Sequence, residues 1–301
     1  MEAALLAERR RGIGGSDAAA ILGLSRWRTP LDVYLDKRGE SDPLEESQAM
    51  FWGTTLEPVI LQRYSDVTGR DVLVPQGIIY HEKYPFMLAS LDGFTHGNRI
   101  VEIKTARFGY EWGEEGTDEI PIEYTAQVQH YMAVTGYDVA DVAVLIGGQD
   151  FRIYEVPADT ELQEIMIAKE REFWGMVKAG TPPDPVCLAD AIHLFGKNDV
   201  HEEVEADADT LTVIEELIHI NQAIKNLEMR SDALKSKIIT YMGARGDVLT
   251  DKDGNAICTY KLSNGRKTFD GKTFEKDHPD LYAQYLKQGE PSRRFLLKGG
   301  K

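Results

Sequence analysis

Three residues in one short stretch have the types and spacing for phosphoester chemistry. Ser90-Leu91-Asp92-Gly93 is followed by Val101-Glu102-Ile103-Lys104. Glu102 and Lys104 are two apart on a strand-like segment, so their side chains face the same way and Ile103 points to the other face. If the segment before Asp92 pairs with this one, Asp92 and Glu102 meet at one end of a hairpin. Two carboxylates and the Ile103 carbonyl are hard oxygen donors that suit Mg²⁺, or Mn²⁺ in its place. A lysine beside them can orient or help deprotonate a water and balance phosphate charge. A metal at such a site lowers the pKa of bound water and stabilises charge growing on phosphoryl oxygens. Acidic and basic residues also alternate on many exposed strands. What sets this pattern apart is the apolar company of Met87, Leu88, Leu91, Ile100, Val101 and Ile103, where charges are costly unless paired or metal-bound.

Other residues could complete the site. Glu57, in Gly53-x3-Glu57-Pro58, is either a further carboxylate for the metal or an ordinary exposed helix glutamate. Gln127 and Tyr131 are four apart on a predicted helix and share a face. Gln127 could hold a water or a phosphate oxygen with Tyr131 in support, or the two are simply a polar helix face. Arg9-Arg10-Arg11-Gly12-Ile13-Gly14-Gly15-Ser16-Asp17 sets a basic cluster and a flexible glycine loop ahead of a helix start. That is either an anion site or a capped helix after a basic segment.

The elements that must position these residues read as follows. Helices are predicted over 16–23 (Ser16 or Asp17 as N-cap), over 30–37, over 45–68 and over 122–134. A further amphipathic helix covers 159–179. Strands are predicted over 72–80, 87–91, 99–103, 139–146 and 151–156, with a turn from Asp92-Gly93 to Gly97-Asn98. This order suggests one α/β or α+β domain over 1–200, with a mixed sheet flanked by helices. Beyond it, Val213, Leu217, Ile220, Ile224, Leu227, Ser231, Leu234, Ile238 and Tyr241 alternate four and three apart. They form a heptad-like seam on a long helix assigned to 201–246. The stripe either packs on its own domain or hairpin, or is presented to another subunit or protein. Residues 247–301 complete the chain as a hairpin, Val248–Thr250 and Ala256–Leu262, and a basic tail.

Composition bounds the function without deciding it. In a chain of 301 residues, a net charge of −16 argues at first sight against a nucleic-acid partner, because phosphate backbones want lysine and arginine. The charge is uneven, however. Residues 1–40 hold seven Lys/Arg against six Asp/Glu, and residues 251–301 hold eleven against seven. Cys187 and Cys258 are too few for a structural zinc site and suggest no disulfide framework, which fits a reducing cytoplasm. No apolar run suits a bilayer, and Met1–Arg11 has the reverse order of a secretory signal.

Five stretches, RRRGIGGSDAAAILGLSRW, WGTTLEP, FMLASLDG, VEIKT and YTAQVQHYMAVTG, occur in order over most of residues 9–156. Together they resemble the YqaJ-type viral recombinases, related to the phage lambda exonuclease, within the PD-(D/E)xK nuclease superfamily. The resemblance implies a restriction-endonuclease-like core and metal-dependent hydrolysis of linear duplex DNA, 5′ to 3′, exposing single strands for phage-type recombination. It implies Asp92, Glu102, the Ile103 carbonyl and Glu57 as metal ligands, Lys104 as catalytic lysine, and Gln127 and Tyr131 as the family's Q-x3-Y element. It implies Arg9 and Ser16 as the pocket for a DNA 5′ phosphate. It implies a homo-oligomeric ring such as a trimer, and a single-strand annealing protein as partner. Alternatives are an endonuclease or single-strand nuclease with the same site, and a non-catalytic DNA-end-binding recombination protein. One departure is the absence of the tryptophan that relatives place before the arginine cluster. Met1-Glu2-Ala3-Ala4-Leu5-Leu6 stands there, as at a truncated or alternative start.

Overall fold

The computed structural model describes residues 7–42, 45–199, 202–289 and 291–298, so the departure from the family pattern over Met1–Leu6 lies outside the described residues. The chain divides into two compact units, Met1–Leu194 and Phe195–Lys301.

The first unit is built on a five-stranded sheet of order β2-β5-β6-β7-β8: Val72–Leu73, Gly93–Thr95, Arg99–Ala106, Val139–Ile146 and Asp150–Pro157. Its central pair, β6 and β7, is parallel, and the other pairings are antiparallel. A parallel pair needs a crossover, and one helix between β6 and β7 in sequence supplies it. That helix is α4 (Ile122–Thr135), which ends at Gly136 in the left-handed conformation (φ 70°). Its inner face, Val128, Tyr131 and Met132, shares a core with Ile100, Val142 and Val144. The other sheet face, Val101, Ile103 and Ala143, is covered by Ile60 and Tyr64 of α3 (Gln48–Thr68). The alternation of side chains along β6 thus puts Glu102 and Lys104 on the α4 side.

A second sheet, β1-β4-β3, joins Ile13–Gly14, Met87–Ala89 and Ile79–Tyr80. Helix α1 (Gly15–Ile21) follows β1 directly, and α2 (Pro30–Arg38) starts from Thr29, whose hydroxyl accepts from Asp32 N at 3.2 Å. Helix α5 (Thr160–Ala179) is N-capped by Asp159, and a short α6 (Leu188–Phe195) follows.

Four expectations are corrected. Residues 72–80 do not form one strand. Pro75 and Gly77 (φ 141°) break them into β2 and β3, which join different sheets. The segment before Asp92 does not pair with β6. It is β4 of the small sheet, and the strand after Asp92, β5, is the one that pairs with β6. The Asp92-Gly93 turn is therefore absent. Gly93 is required instead by close approach, because a Cβ there would lie 2.5 Å from Val72 Cγ1. Helix α1 is capped at Gly14, not at Ser16 or Asp17, with the Asp17 carboxylate accepting from Gly14 N at 2.9 Å. The glycine loop before it is ordered as β1, paired in parallel with β4.

The second unit carries α7 (Ala208–Met242), a 35-residue helix N-capped by Asp207, whose side chain accepts from Thr210 N at 2.8 Å. The antiparallel hairpin β9 (Val248–Thr250) and β10 (Ala256–Thr259) turns around Asp251, which accepts from the Asp253 and Asn255 N–H groups. Strand β10 is shorter than the predicted 256–262. Two short helices, α8 (Gly271–Asp277) and α9 (Pro279–Tyr285), were not predicted. Of the helix α7, only Met242 is buried, next to Cys258 of β10.

Candidate active site

The β5–β6 register, Gly93 opposite Val101 and Phe94 opposite Ile100, continues outward to bring Asp92 opposite Glu102. Asp92 is tied to β6 by its own side chain, with Oδ2 accepting from Ile103 N at 2.8 Å. Although the pairing strand differs from the predicted one, the two acids come together. The parity of a strand pair determines this, whichever strand leads into the pair.

Glu102 is almost fully buried (2%) beneath α4. Its Oε1 accepts from Lys104 Nζ at 2.6 Å and from Gln127 Nε2 at 2.6 Å. Gln127 Oε1 accepts from Lys104 Nζ at 2.9 Å, and Gln127 Nε2 also reaches the Tyr131 hydroxyl at 3.2 Å. Lys104, Glu102 and Gln127 form a closed triangle of hydrogen bonds, and Tyr131, four residues on from Gln127, joins it through Gln127. Tyr124, not singled out in the sequence, belongs with them. Lys104 Nζ lies 4.7 Å from its ring centroid, a cation–π distance. Tyr124, Gln127 and Tyr131 are at i, i+3 and i+7, which is the pattern that identifies one helix face.

One atom of the network is left over. Glu102 Oε2 is buried and has no hydrogen-bond partner. A buried carboxylate oxygen without a donor is costly. Burial, then the charge of Asp92, pushes the Glu102 pKa up to about 8, with Lys104 acting in the opposite direction and Glu57 adding to the rise. Burial also raises Asp92, against the Ile103 N–H, Lys104 and Arg9. Half-buried Glu57, on α3, is raised by burial and by Asp92. Burial disfavours the Lys104 cation, but Glu102 and Asp92 outweigh it and hold its pKa above the usual lysine value. Lys104 therefore keeps its proton here. Burial and Glu102 raise Tyr131 well above an ordinary tyrosine, so its hydroxyl stays neutral.

Asp92 raises both Glu102 and Glu57, Glu57 adds to Glu102, and one oxygen of Glu102 is buried and orphaned; three carboxylates of this kind are the donor type of a hard divalent cation. Among the described residues no group of three or more His, Cys, Asp or Glu side chains stands close enough together to hold a metal ion.

The N-terminal residues lie alongside. Gly15, first in α1, packs on Tyr131, where a Cβ would lie 2.5 Å from the ring. Exposed Ser16 is the next residue. Arg9 is exposed and its carbonyl accepts from Lys37 Nζ at 3.1 Å; its charge lowers the pKa values of Asp92 and Tyr131. Buried Asp17, close to Ser16, is held by Lys37 Nζ at 2.6 Å and Arg28 at 3.0 Å. A second buried pair sits behind α4. His130 Nδ1 lies 2.8 Å from Glu170 of α5 and Nε2 lies 2.9 Å from the Leu88 carbonyl of β4. Glu170 and the Leu88 carbonyl outweigh burial and raise the ring's pKa above the ordinary histidine value, which favours the imidazolium. Sequence reading missed it because the partners are 40 residues apart.

No helix of the described residues is long and apolar enough to cross a membrane. Both cysteines are free thiols. The YqaJ-like viral recombinase domain matches residues 5–138. A Bacillus subtilis (strain 168) protein, "Uncharacterized protein YqaJ", is 34% identical over 305 residues, covering 97% of this chain and 93% of its own length. An alkaline exonuclease from Laribacter hongkongensis is 22% identical and superposes with a TM-score of 0.51, over 59% of this chain and 93% of that one. That likeness shows a shared fold over 59% of this chain, a mixed sheet flanked by helices. With the relative matched over nearly its whole length, the chain belongs to the YqaJ-like viral recombinase family.

Proposed function

We propose that the chain is a Mg²⁺-dependent deoxyribonuclease that degrades linear duplex DNA from its ends, 5′ to 3′, and exposes single strands for recombination. The observation that carries this is the buried Glu102 carboxylate with its orphaned Oε2, opposite Asp92 and 2.6 Å from Lys104. Such a group is costly to bury and explicable as half of a metal site. Asp92, Glu102, the Ile103 carbonyl and Glu57 would hold the ion, with Mn²⁺ able to replace Mg²⁺. When bound, the ion lowers the pKa of a water and offsets charge on the scissile phosphate.

The protein's own residues supply the rest. Lys104, held as an ammonium, orients the attacking water and balances charge on the phosphoryl oxygens. Gln127 holds Lys104 and Glu102 through its amide, and Tyr131 anchors Gln127. The water oxygen bonds to phosphorus as the phosphorus–oxygen bond to the leaving sugar breaks. The water's proton passes to solvent and the leaving oxygen takes one from solvent. Arg9 and Ser16 would receive the 5′ phosphate and so set the register of cutting. Partners on this reading are duplex ends, further copies of the chain in a ring such as a trimer, and a single-strand annealing protein. A basic channel inside a ring reconciles DNA binding with the net charge of −16.

The test is linear duplex bearing 5′-phosphate or 5′-hydroxyl, with and without Mg²⁺, and strand-resolved product sizing. Closed circular duplex serves as the end-free control. Shortening of the 5′-ended strand, faster with 5′-phosphate and absent from the circle, is the expected outcome. Cleavage of the circle would establish an endonuclease instead, and binding without any metal-dependent cleavage would remove the enzymatic reading.

A further inference from the structure

The seam of α7 is the largest apolar feature that the nuclease reading leaves unused. Ile224, Leu227 and Leu234 are 48%, 63% and 52% exposed, and no described residue of the unit covers them. At 1.5 Å per residue the helix is about 50 Å long, and an apolar stripe of that length in solvent marks an interaction surface. The question is what covers it.

The charges along the helix favour one occupant. Before Lys225, α7 carries Asp209, Glu215 and Glu216 and no lysine or arginine. From Lys225 onward it carries Lys225, Arg230, Lys235 and Lys237 against Glu228 and Asp232. A second copy running in the same direction would set acid on acid and base on base. In the heptad frame it would place Arg230 beside Lys235 of the other helix. A copy running in the opposite direction does the reverse. Pairing Leu217 with Tyr241, Ile220 with Ile238 and Ile224 with Leu234 closes the seam, with Ser231 across from Leu227. The same register brings Glu216 to Lys237 and Glu228 to Lys235 across the seam, each twice by symmetry. All four flanking charges are exposed, and the contact of Lys235 with Asp232 of its own helix at 3.1 Å is a weak exposed pair.

We propose that α7 is an antiparallel self-association helix, through which two copies of this chain pair about a two-fold axis. A two-fold pairing uses the same patch on both partners, so it is distinct from any contact that closes a ring.

Sedimentation velocity of the full chain provides the test, and because it reads association alone it is independent of the nuclease reading. The Glu216→Lys/Glu228→Lys variant and the Lys235→Glu/Lys237→Glu variant each place like charges across the seam. Each alone should halve the assembly mass at concentrations where wild type is paired, with a dissociation constant raised roughly a hundredfold. An equimolar mixture of the two should recover the wild-type mass, because every flanking pair is then complementary. These positions are exposed, so folding is not at stake. For direction, in a Cys187→Ser/Cys258→Ser background, Leu217→Cys should not crosslink to itself but should crosslink to Tyr241→Cys. Masses that none of the charge variants change would overturn self-pairing and leave the seam to a different protein. Self-crosslinking of Leu217→Cys would overturn the antiparallel direction.

Discussion

The two units break the usual rule of apolar inside and polar outside in opposite ways. In the first unit the exceptions are buried polar groups: Asp17, Glu102, His130, Asp141 and Glu170 are all nearly inaccessible. In the second the exceptions are exposed apolar groups, with only Met242 of a 35-residue helix buried. The first kind of exception is costly to the fold and must be organised by partners within the chain. The second is costly only in water and is relieved by a partner outside it. If that contrast is right, substitutions in the first unit act on chemistry and stability, and those on the seam of the second act on association.

The largest effect should fall on the orphaned carboxylate. Glu102→Gln keeps the shape and the bonds to Lys104 and Gln127 but removes the charge. Nuclease activity should drop about a thousandfold or more, while far-ultraviolet circular dichroism stays that of wild type. Mg²⁺ should raise the wild-type melting temperature and leave that of the variant unchanged. Activity retained in Glu102→Gln would take Glu102 out of the site and leave its burial unexplained.

Next in size is the His130–Glu170 pair. Removing one partner of a buried ion pair strands the other, so His130→Ala should lower stability by about 3–5 kcal/mol in denaturant titration. Burial opposes the imidazolium, but Glu170 and the Leu88 carbonyl raise its pKa above 6.5. A raised histidine pKa stabilises the fold in full below the unfolded value and ceases to do so as pH rises through the folded one. The difference between wild type and His130→Ala should therefore be greatest at pH 6 and shrink toward alkaline pH. A difference that grew with pH would mean a neutral ring.

A smaller effect follows from the Glu102 pKa of about 8. Below that value a proton must leave before a metal can bind. At subsaturating Mg²⁺, activity should rise about tenfold per pH unit up to pH 8 and then level off. At saturating Mg²⁺ the break should move to lower pH. A rate that is flat from pH 6 to 9 at low Mg²⁺ would contradict the raised pKa.

Legibility in the sequence differs between the units for the same reason. Strands β6 and β7 and helices α3, α4 and α5 were readable because burial of one face imposes a period on a long segment. Glu102 and Lys104 were readable from parity along one strand, whereas the places of Asp92, Gln127 and Tyr131 beside them came from a pairing assumed with the wrong strand, from a shared helix face and from the family resemblance. The two-residue strands β1, β2 and β3 were not, since a pairing that short is set by the tertiary neighbour. Asp92-Gly93 imitated a turn because glycine also serves close approach, here to Val72. His130–Glu170 and Asp17–Lys37 join distant elements and leave no local trace. The α7 seam was legible as a period, but a period does not say whether the face is covered.

That last point yields the smallest predicted change, and it separates the two units most directly. In a chain whose seam packed on its own unit, Leu227→Lys would bury a charge or open a cavity, with a cost of several kcal/mol. Leu227 is 63% exposed, so the cost to the isolated chain should stay within about 0.5 kcal/mol. Denaturant midpoints measured at nanomolar protein, where association is negligible, should coincide for wild type and Leu227→Lys. At micromolar protein the wild-type midpoint should move upward and that of the variant should not, because only the paired form gains from mass action. A drop of several kcal/mol already at nanomolar concentration would show that the seam is an intramolecular core face, and the contrast between the two units would fail.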